Sequence, residues 1–223
     1  MRAVRAPDPA DRAQALALVD VSRETLTRLD AFVDLLLAWQ RQTNLIADST
    51  IPHLWTRHVA DSLQLLELAA DAKIWVDLGS GGGFPGLVLA CALADSPGRH
   101  VHLVESIGKK ARFLEMAARK LDLPVFVHCA RIENIGDRIG DKIDVITARA
   151  VASLKVLCGY AFPLMSPQTI GLFLKGQDVG AELTEASRYW NIEAELIPSR
   201  TSPEGRIVRV SSLKPRQIRQ PTS

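Results

Sequence analysis

The stretch Val76-Asp77-Leu78-Gly79-Ser80-Gly81-Gly82-Gly83-Phe84-Pro85-Gly86 constrains the fold of this chain more than any other, because an apolar run enters a glycine cluster with a carboxylate at its mouth. Residues 73–78 read as a buried strand and 87–93 as the apolar body of a helix, so the glycines fall at a strand-to-helix turn. Glycine tolerates positive φ and lets a ligand approach backbone without meeting a Cβ, and a helix N-terminus offers unpaired N–H donors. The turn is therefore expected to hold a nucleoside-type ligand.

A second acid shows how such a turn is used. Residues 100–105, His100-Val101-His102-Leu103-Val104-Glu105, read as the next strand and end in a carboxylate. The interval from the glycine turn is roughly 20 residues, as a βαβ unit produces, and an acid there accepts hydrogen bonds from both ribose hydroxyls. The glycines alone leave two ligand classes open, since Gly81, Gly83 and Gly86 also satisfy the dinucleotide pattern G-x-G-x-x-G. Asp77 argues for the other class. A carboxylate before the first glycine repels a pyrophosphate and suits a cation, such as the amino group of a methionine moiety that carries a sulfonium. The phrase Asp77-Leu78-Gly79-Ser80-Gly81-Gly82-Gly83 followed by Glu105 resembles the S-adenosylmethionine site of class I methyltransferases.

With 223 residues, 47% of them hydrophobic, the chain can bury one substantial core and is too short for two α/β domains. Its formal charge of +2 excludes a generally basic protein, so a polyanionic partner must be gripped by a local patch. The cysteines Cys91, Cys129 and Cys158 lack metal-type spacing and are expected to be small core hydrophobes in a reducing compartment. No apolar run approaches 18 residues and residues 1–7 lack the apolar centre of a secretory signal, so a cytoplasmic protein without a membrane segment is expected.

Helical periodicity runs from 12 to 39, with Leu26, Leu29, Phe32, Val33, Leu36 and Leu37 as one apolar stripe and a cap near Ser22. Residues 52–69 are expected to be helical again. Strands are expected at 73–78, 100–105, 124–128, 142–147 and 169–174, alternating with helices at 87–93, 108–121, 154–162 and 179–189, before two closing strands at 192–197 and 207–210. This alternation predicts an α/β fold with a mostly parallel seven-stranded sheet, helices on both faces and an antiparallel C-terminal hairpin. The expected organisation is an N-terminal helical extension over 1–70, the sheet domain over 71–212 and a basic, disordered tail over 213–223.

The hairpin ending favours a methyltransferase over a dehydrogenase, which needs a second mononucleotide half or a catalytic domain. Further motifs narrow the resemblance: Trp39-Gln40-Arg41-Gln42-Thr43-Asn44-Leu45-Ile46, Trp55-Thr56-Arg57-His58-Val59-Ala60-Asp61-Ser62, the glycine turn itself, Glu105-Ser106-Ile107-Gly108-Lys109-Lys110-Ala111-Arg112-Phe113-Leu114, Thr147-Ala148-Arg149-Ala150-Val151-Ala152-Ser153-Leu154 and Leu174-Lys175-Gly176. Together they resemble the ribosomal small-subunit methyltransferase G family, also called glucose-inhibited division protein B. The resemblance spans about 44–206.

It implies a class I, Rossmann-like methyltransferase that methylates guanine N7 in the 530 loop of bacterial 16S ribosomal RNA, with S-adenosylmethionine as donor. The family's cofactor contacts carry over to Gly79, Phe84, the region of Ile132 and Glu133, and Arg149. Position 105 departs from the pattern, since many members have Asp there; Glu reaches one methylene further and still meets a ribose diol. From the residues themselves, Ile132 and Glu133 follow the third strand at the sheet edge where ligands lie, so Ile132 is expected against the adenine face and Glu133 at its amino edge. Arg149 follows the fourth strand and Lys175 ends the fifth, which makes both candidates for holding the guanine or its phosphate. No general base is expected, because N7 has a free lone pair and no proton to lose. Asp77, Gly81, Gly83 and Glu105 complete the expected cofactor set.

His58 and Asp61, three apart on an expected helix, share a face and are expected either to lid the pocket or to form a structural hydrogen bond. No third ligand accompanies them, so no metal is expected. Lys109, Lys110 and Arg112, Arg119 and Lys120, and Arg206, Arg209, Lys214, Arg216 and Arg219 are the cationic groups expected to meet RNA, either naked or in the 30S subunit. A monomer is expected. Rival readings are a methyltransferase for a small molecule or protein, a non-catalytic nucleotide-binding regulator, and an NAD-dependent oxidoreductase.

Overall fold

The computed structural model describes residues 5–140 and 142–216. Seven strands form one sheet in the order β3-β2-β1-β4-β5-β7-β6. They are β1 (Ile74–Leu78), β2 (His100–Glu105), β3 (Val125–Cys129), β4 (Val145–Arg149), β5 (Ile170–Lys175), β6 (Trp190–Pro198) and β7 (Arg206–Pro215). The first five run parallel. β7 is antiparallel to both β5 and β6, and the pairing slips at Glu193/Ala194. The order reverses at β1, so the crevice outside the carboxyl ends of β1, β2 and β4 is the topological switch point at which open α/β sheets bind ligands.

The β7 strand reaches Pro215, so the first three residues expected as tail pair in the sheet instead. Arg216 follows, its N donating to Tyr189 O at 2.8 Å, and 217–223, with Arg219, lies outside the described residues. Cys91 and Cys158 are buried as expected, and burial pushes their thiols up to about 12 and about 11. Cys129 differs. It ends the edge strand β3 and is exposed. Among the described residues no helix is long and apolar enough to cross a membrane.

One face of the sheet carries α4 (Gly86–Leu93) and α5 (Gly108–Lys120), and the other α6 (Leu154–Ala161) and α7 (Val179–Ala186). The expected N-terminal helix is two helices, α1 (Pro9–Leu16) and α2 (Arg23–Gln40), divided before Ser22, whose hydroxyl accepts from Thr25 N at 3.0 Å. The predicted stripe of α2 is real: Leu29, Phe32, Val33 and Leu36 are buried in the same apolar cluster as Trp75, Leu87 and Phe113. Residues 52–69 are not one helix. A 3-10 segment (Asp48–His53), a π-helix (Trp55–Ala60), a single α turn, α3 (Asp61–Leu63), and a second 3-10 segment (Leu66–Ala69) follow one another. Buried Asp11 of α1 accepts from Trp55 N at 2.8 Å and Thr56 N at 3.2 Å, which satisfies the first donors of the π-helix.

Candidate active site

The glycine turn is shaped by positive φ at Gly79 (+70°), Gly81 (+54°) and Gly83 (+93°), backbone that other residues rarely adopt. Gly86 has a different reason. A Cβ there would lie 2.2 Å from Leu103 Cδ2 and 2.7 Å from Asp77 Oδ2, so α4 rests directly on β1 and β2 only because position 86 has no side chain. In front of Gly81 a Cβ would meet nothing nearer than Gly79 O at 3.7 Å, which leaves that stretch of backbone open. Gly82 is roofed instead: Leu45 O would stand 3.0 Å from its Cβ. That roof is held by buried Gln40, which accepts from Leu45 N and Ile46 N and donates to Ile46 O, Asn44 and Asp48. The N-terminal helices are thus part of the site.

Both expected acids sit at this turn, each with defined partners. Asp77 is fully buried; its Oδ2 accepts from Gly86 N at 3.2 Å and its Oδ1 from Thr147 Oγ1 at 3.0 Å. Burial pushes its carboxyl up to about 6, against the pull of these donors and of Arg149. The side chain thus ties β1 to the start of α4 and to β4. Glu105 ends β2 with Oε2 accepting from Gly81 N at 2.9 Å and Oε1 from Ile107 N at 2.7 Å. Each carboxylate oxygen accepts more than one hydrogen bond, so Glu105 keeps capacity for a diol.

The cation of the site is Arg149, at the end of β4. Its Nη1 donates to Arg57 O at 3.2 Å and lies 2.5 Å from His58 Nδ1, and its guanidinium carbon stands 5.1 Å from the centroid of Phe84. Phe84 follows the glycine turn and packs against His58 at 4.9 Å and Phe32 of α2 at 5.3 Å. Burial lowers Arg149 from the usual guanidinium value, Asp61 and Asp77 raise it and Arg57 lowers it further. Burial, helped by the charges of Arg149 and Arg57, drives His58 down to about 2, so its imidazole is neutral.

Of the two arrangements expected for His58 and Asp61, the mutual hydrogen bond gives way to two separate sets of contacts, and His58 packs beside the turn against Phe84 and Arg149. His58 lies in the π-helix and Asp61 opens the α turn that follows, so the two do not sit on one regular α-helical face. His58 turns to Arg149 and Thr50, while Asp61 accepts from Thr201 Oγ1 at 2.7 Å and Gln64 Nε2 at 2.9 Å. Lys175 also has protein partners: its Nζ donates to Ala152 O and to Glu182 Oε2, both at 2.7 Å, and Glu182 accepts from Leu154 N at 2.6 Å. This braces the loop after Arg149, in which Ala150 holds a φ of +53°. Ile132 and Glu133 open the 3-10 turn after β3, whose last residue pairs with Glu105, and line a cavity of about 580 Å³ with Arg138 and Tyr160 of α6.

Thr50, Thr147, Gln40 and Glu182 were not singled out from the sequence; Gln40 and Thr147 fell inside quoted motifs, whereas Thr50 and Glu182 carried no signal. Residues 25–204 match the family model described as rRNA small subunit methyltransferase G. The chain belongs to that family. The ribosomal RNA small subunit methyltransferase G of Bradyrhizobium sp. strain BTAi1 is 59% identical over 205 residues, 92% of each chain. Among solved structures, a cofactor-bound protein from MTB aligns over 93% of this chain and 98% of its own with a TM-score of 0.60 at 16% identity. A SAM dependent methyltransferase from Aquifex aeolicus aligns over 71% and 92% with a TM-score of 0.55 at 13% identity. The fold is that of the class I S-adenosylmethionine-dependent methyltransferases, as the glycine turn and Glu105 led one to expect. In this methyltransferase G family member the N-terminal helices, the turn and Arg149 form one packed unit.

Proposed function

We propose that this protein transfers a methyl group from S-adenosylmethionine to N7 of a guanine in the 530 loop of 16S ribosomal RNA, acting as a monomer in the cytoplasm on the RNA or on the small subunit. The observation that carries this reading is the family match across 25–204, which includes every expected site residue. The residues present suit the donor. An open backbone surface at Gly81 and a carboxylate on Glu105 with lone pairs to spare are what an adenosine ribose needs, and Gly79 and Phe84 flank it. When bound, the donor supplies an electrophilic methyl group.

The side chains then have positioning work and no proton to move. Guanine N7 carries a lone pair and no hydrogen at neutral pH, and orientation alone is worth about 7–11 kcal/mol in favourable cases. His58 is neutral with its Nδ1 against Arg149, while Asp61 and Asp77 are tied to hydroxyl and backbone donors. Arg149 holds a cation beside the turn, suited to the guanine or its phosphate. Lys175 supports it by bracing 152–154 rather than by reaching the RNA itself.

The RNA approaches over the start of α5. Lys109 and Arg112 are exposed there, next to Glu105 and beside exposed Ile107. Cations at a helix N-terminus oppose the helix dipole, and a polyanion at that face compensates them. The test is mass mapping of 16S RNA from cells with and without the protein: one N7-methylguanine in the 530 loop disappears with the gene and returns on complementation. An unchanged RNA overturns the assignment.

A further inference from the structure

Arg149 owes its aim to what it leans on. Its Nη1 lies 2.5 Å from His58 Nδ1. A guanidinium only donates, so Nδ1 is the lone-pair nitrogen and the ring hydrogen sits on Nε2. The far side of the ring gives the same answer independently. Thr50 Oγ1 donates to Ala47 O at 2.7 Å, so toward His58 Nε2, 2.8 Å away, Thr50 is the acceptor. Four groups thus form one directional chain, from Arg149 through His58 and Thr50 to a backbone carbonyl.

We infer that Thr50 and His58 are positioning residues for methyl transfer: Thr50 locks His58 in its Nε2–H form, and the His58 Nδ1 lone pair holds the Arg149 guanidinium over Phe84 beside the glycine turn. The inference rests on the assignment of Arg149 to the methyl-transfer site. The groups around the imidazole agree with a fixed neutral ring. Arg149 and Arg57 are the charges acting on it, Phe84 packs on it at 4.9 Å, and the carboxylate of Asp61 is bonded to Thr201 and Gln64 instead. Thr50 belongs to the 3-10 segment Asp48–His53 and His58 to the π-helix, so the aim of Arg149 on β4 is set by the N-terminal extension.

A merely structural Thr50 affects stability alone, whereas a positioning Thr50 affects the rate. The full-length protein is assayed with labelled S-adenosylmethionine on 30S subunits from cells lacking it, for Thr50→Ser, Thr50→Val, His58→Gln and His58→Phe. Thr50→Ser keeps the hydroxyl and stays within about twofold of the parent, and Thr50→Val loses about tenfold in kcat/KM, the kinetic weight of one hydrogen bond. His58→Gln, with one acceptor and one donor, recovers activity that His58→Phe loses by about a hundredfold. Nitrogen-15 spectra of the imidazole show a pyridine-type Nδ1 and a pyrrole-type Nε2, unchanged between pH 8 and pH 5. Melting curves identify any variant that has lost its fold, and for such a variant the spectra of the parent decide. Equal kcat/KM for Thr50→Val and the parent, or a proton on Nδ1, overturns the inference. Failure of the parent to methylate 30S subunits overturns the functional reading instead, and the spectra still decide the direction of the chain.

Discussion

Glu105 and Arg149 close two sides of the same sheet edge, yet they are held by different kinds of partner. Glu105 is fixed by backbone N–H groups of Gly81 and Ile107, both within one βαβ unit. Arg149 is fixed by His58 and the Arg57 carbonyl, 91 and 92 residues earlier in the chain, and by the face of Phe84. The carboxylate half of the site is a local product of strand, turn and helix. The cationic half exists only because α1, α2 and the segments after them fold over the glycine turn. The comparison teaches that Glu105 is set by backbone next to it in the chain, whereas Arg149, on the reading proposed above, depends on the N-terminal segments that pack over the turn.

The largest expected effect tests the cationic half. Arg149→Met keeps much of the apolar stem and removes the charge, and methyl transfer to 30S subunits falls by about 10²–10³-fold, as for loss of a key electrostatic donor. Because the resemblance also places Arg149 among the cofactor contacts, binding of S-adenosylmethionine, read by calorimetry, weakens too, by a smaller factor. A comparable loss in both measurements would erase the proposed division between the halves.

Gly86→Ala probes the local half through packing. The added methyl has to displace Leu103 and the Asp77 carboxylate, both buried. The cost is about 3 kcal/mol, a drop of about 6–12 °C in melting temperature by differential scanning calorimetry. A drop below about 2 °C would mean that α4 does not need its close approach.

Asp77→Asn sharpens the comparison through pH. The folded carboxyl, raised to about 6, binds more protons than the unfolded one across the window from about 4 to 6, so its contribution to stability declines as pH rises through that window. The difference is on the order of 3 kcal/mol when the group is fully ionised. Asn keeps the shape, accepts from Gly86 N and removes that dependence. Urea titrations of both proteins at pH 4 and pH 7 should therefore show the variant gaining relative stability at the higher pH. Parallel behaviour of the two proteins would show that burial does not strain the Asp77 charge.

The smallest effect concerns RNA approach. Lys109→Gln with Lys110→Gln lowers the salt dependence of 30S binding by about 1 in slope for each phosphate that is no longer neutralised, with little change in affinity for the methyl donor. An unchanged slope would move the RNA path away from the start of α5.

Much of the fold was legible from the chain. Alternating apolar runs gave the parallel strands, because a strand buried on both faces must be apolar throughout, and 100–105 was placed to the residue. Strand β4 was placed three residues early, since Lys142 and Ile143 look like strand but precede the first paired residue. The glycines were legible because positive φ leaves a signature in composition. Helical spacing suggested a shared face for His58 and Asp61, but one lies in the π-helix and the other opens the α turn after it. Lys175 read as an open cation because Glu182, its partner seven residues on, looked like any helix surface acid.

The chain by itself determined a glycine turn between two strands that carry carboxylates at their ends, since backbone conformation and local spacing are written in residue type. Tertiary structure alone decided which cation faces that turn and which groups it meets: the Arg57 carbonyl, His58 and, on the far side of His58, Thr50. These depend on side chains brought from distant segments into one low-dielectric cluster, which no local pattern in the chain records.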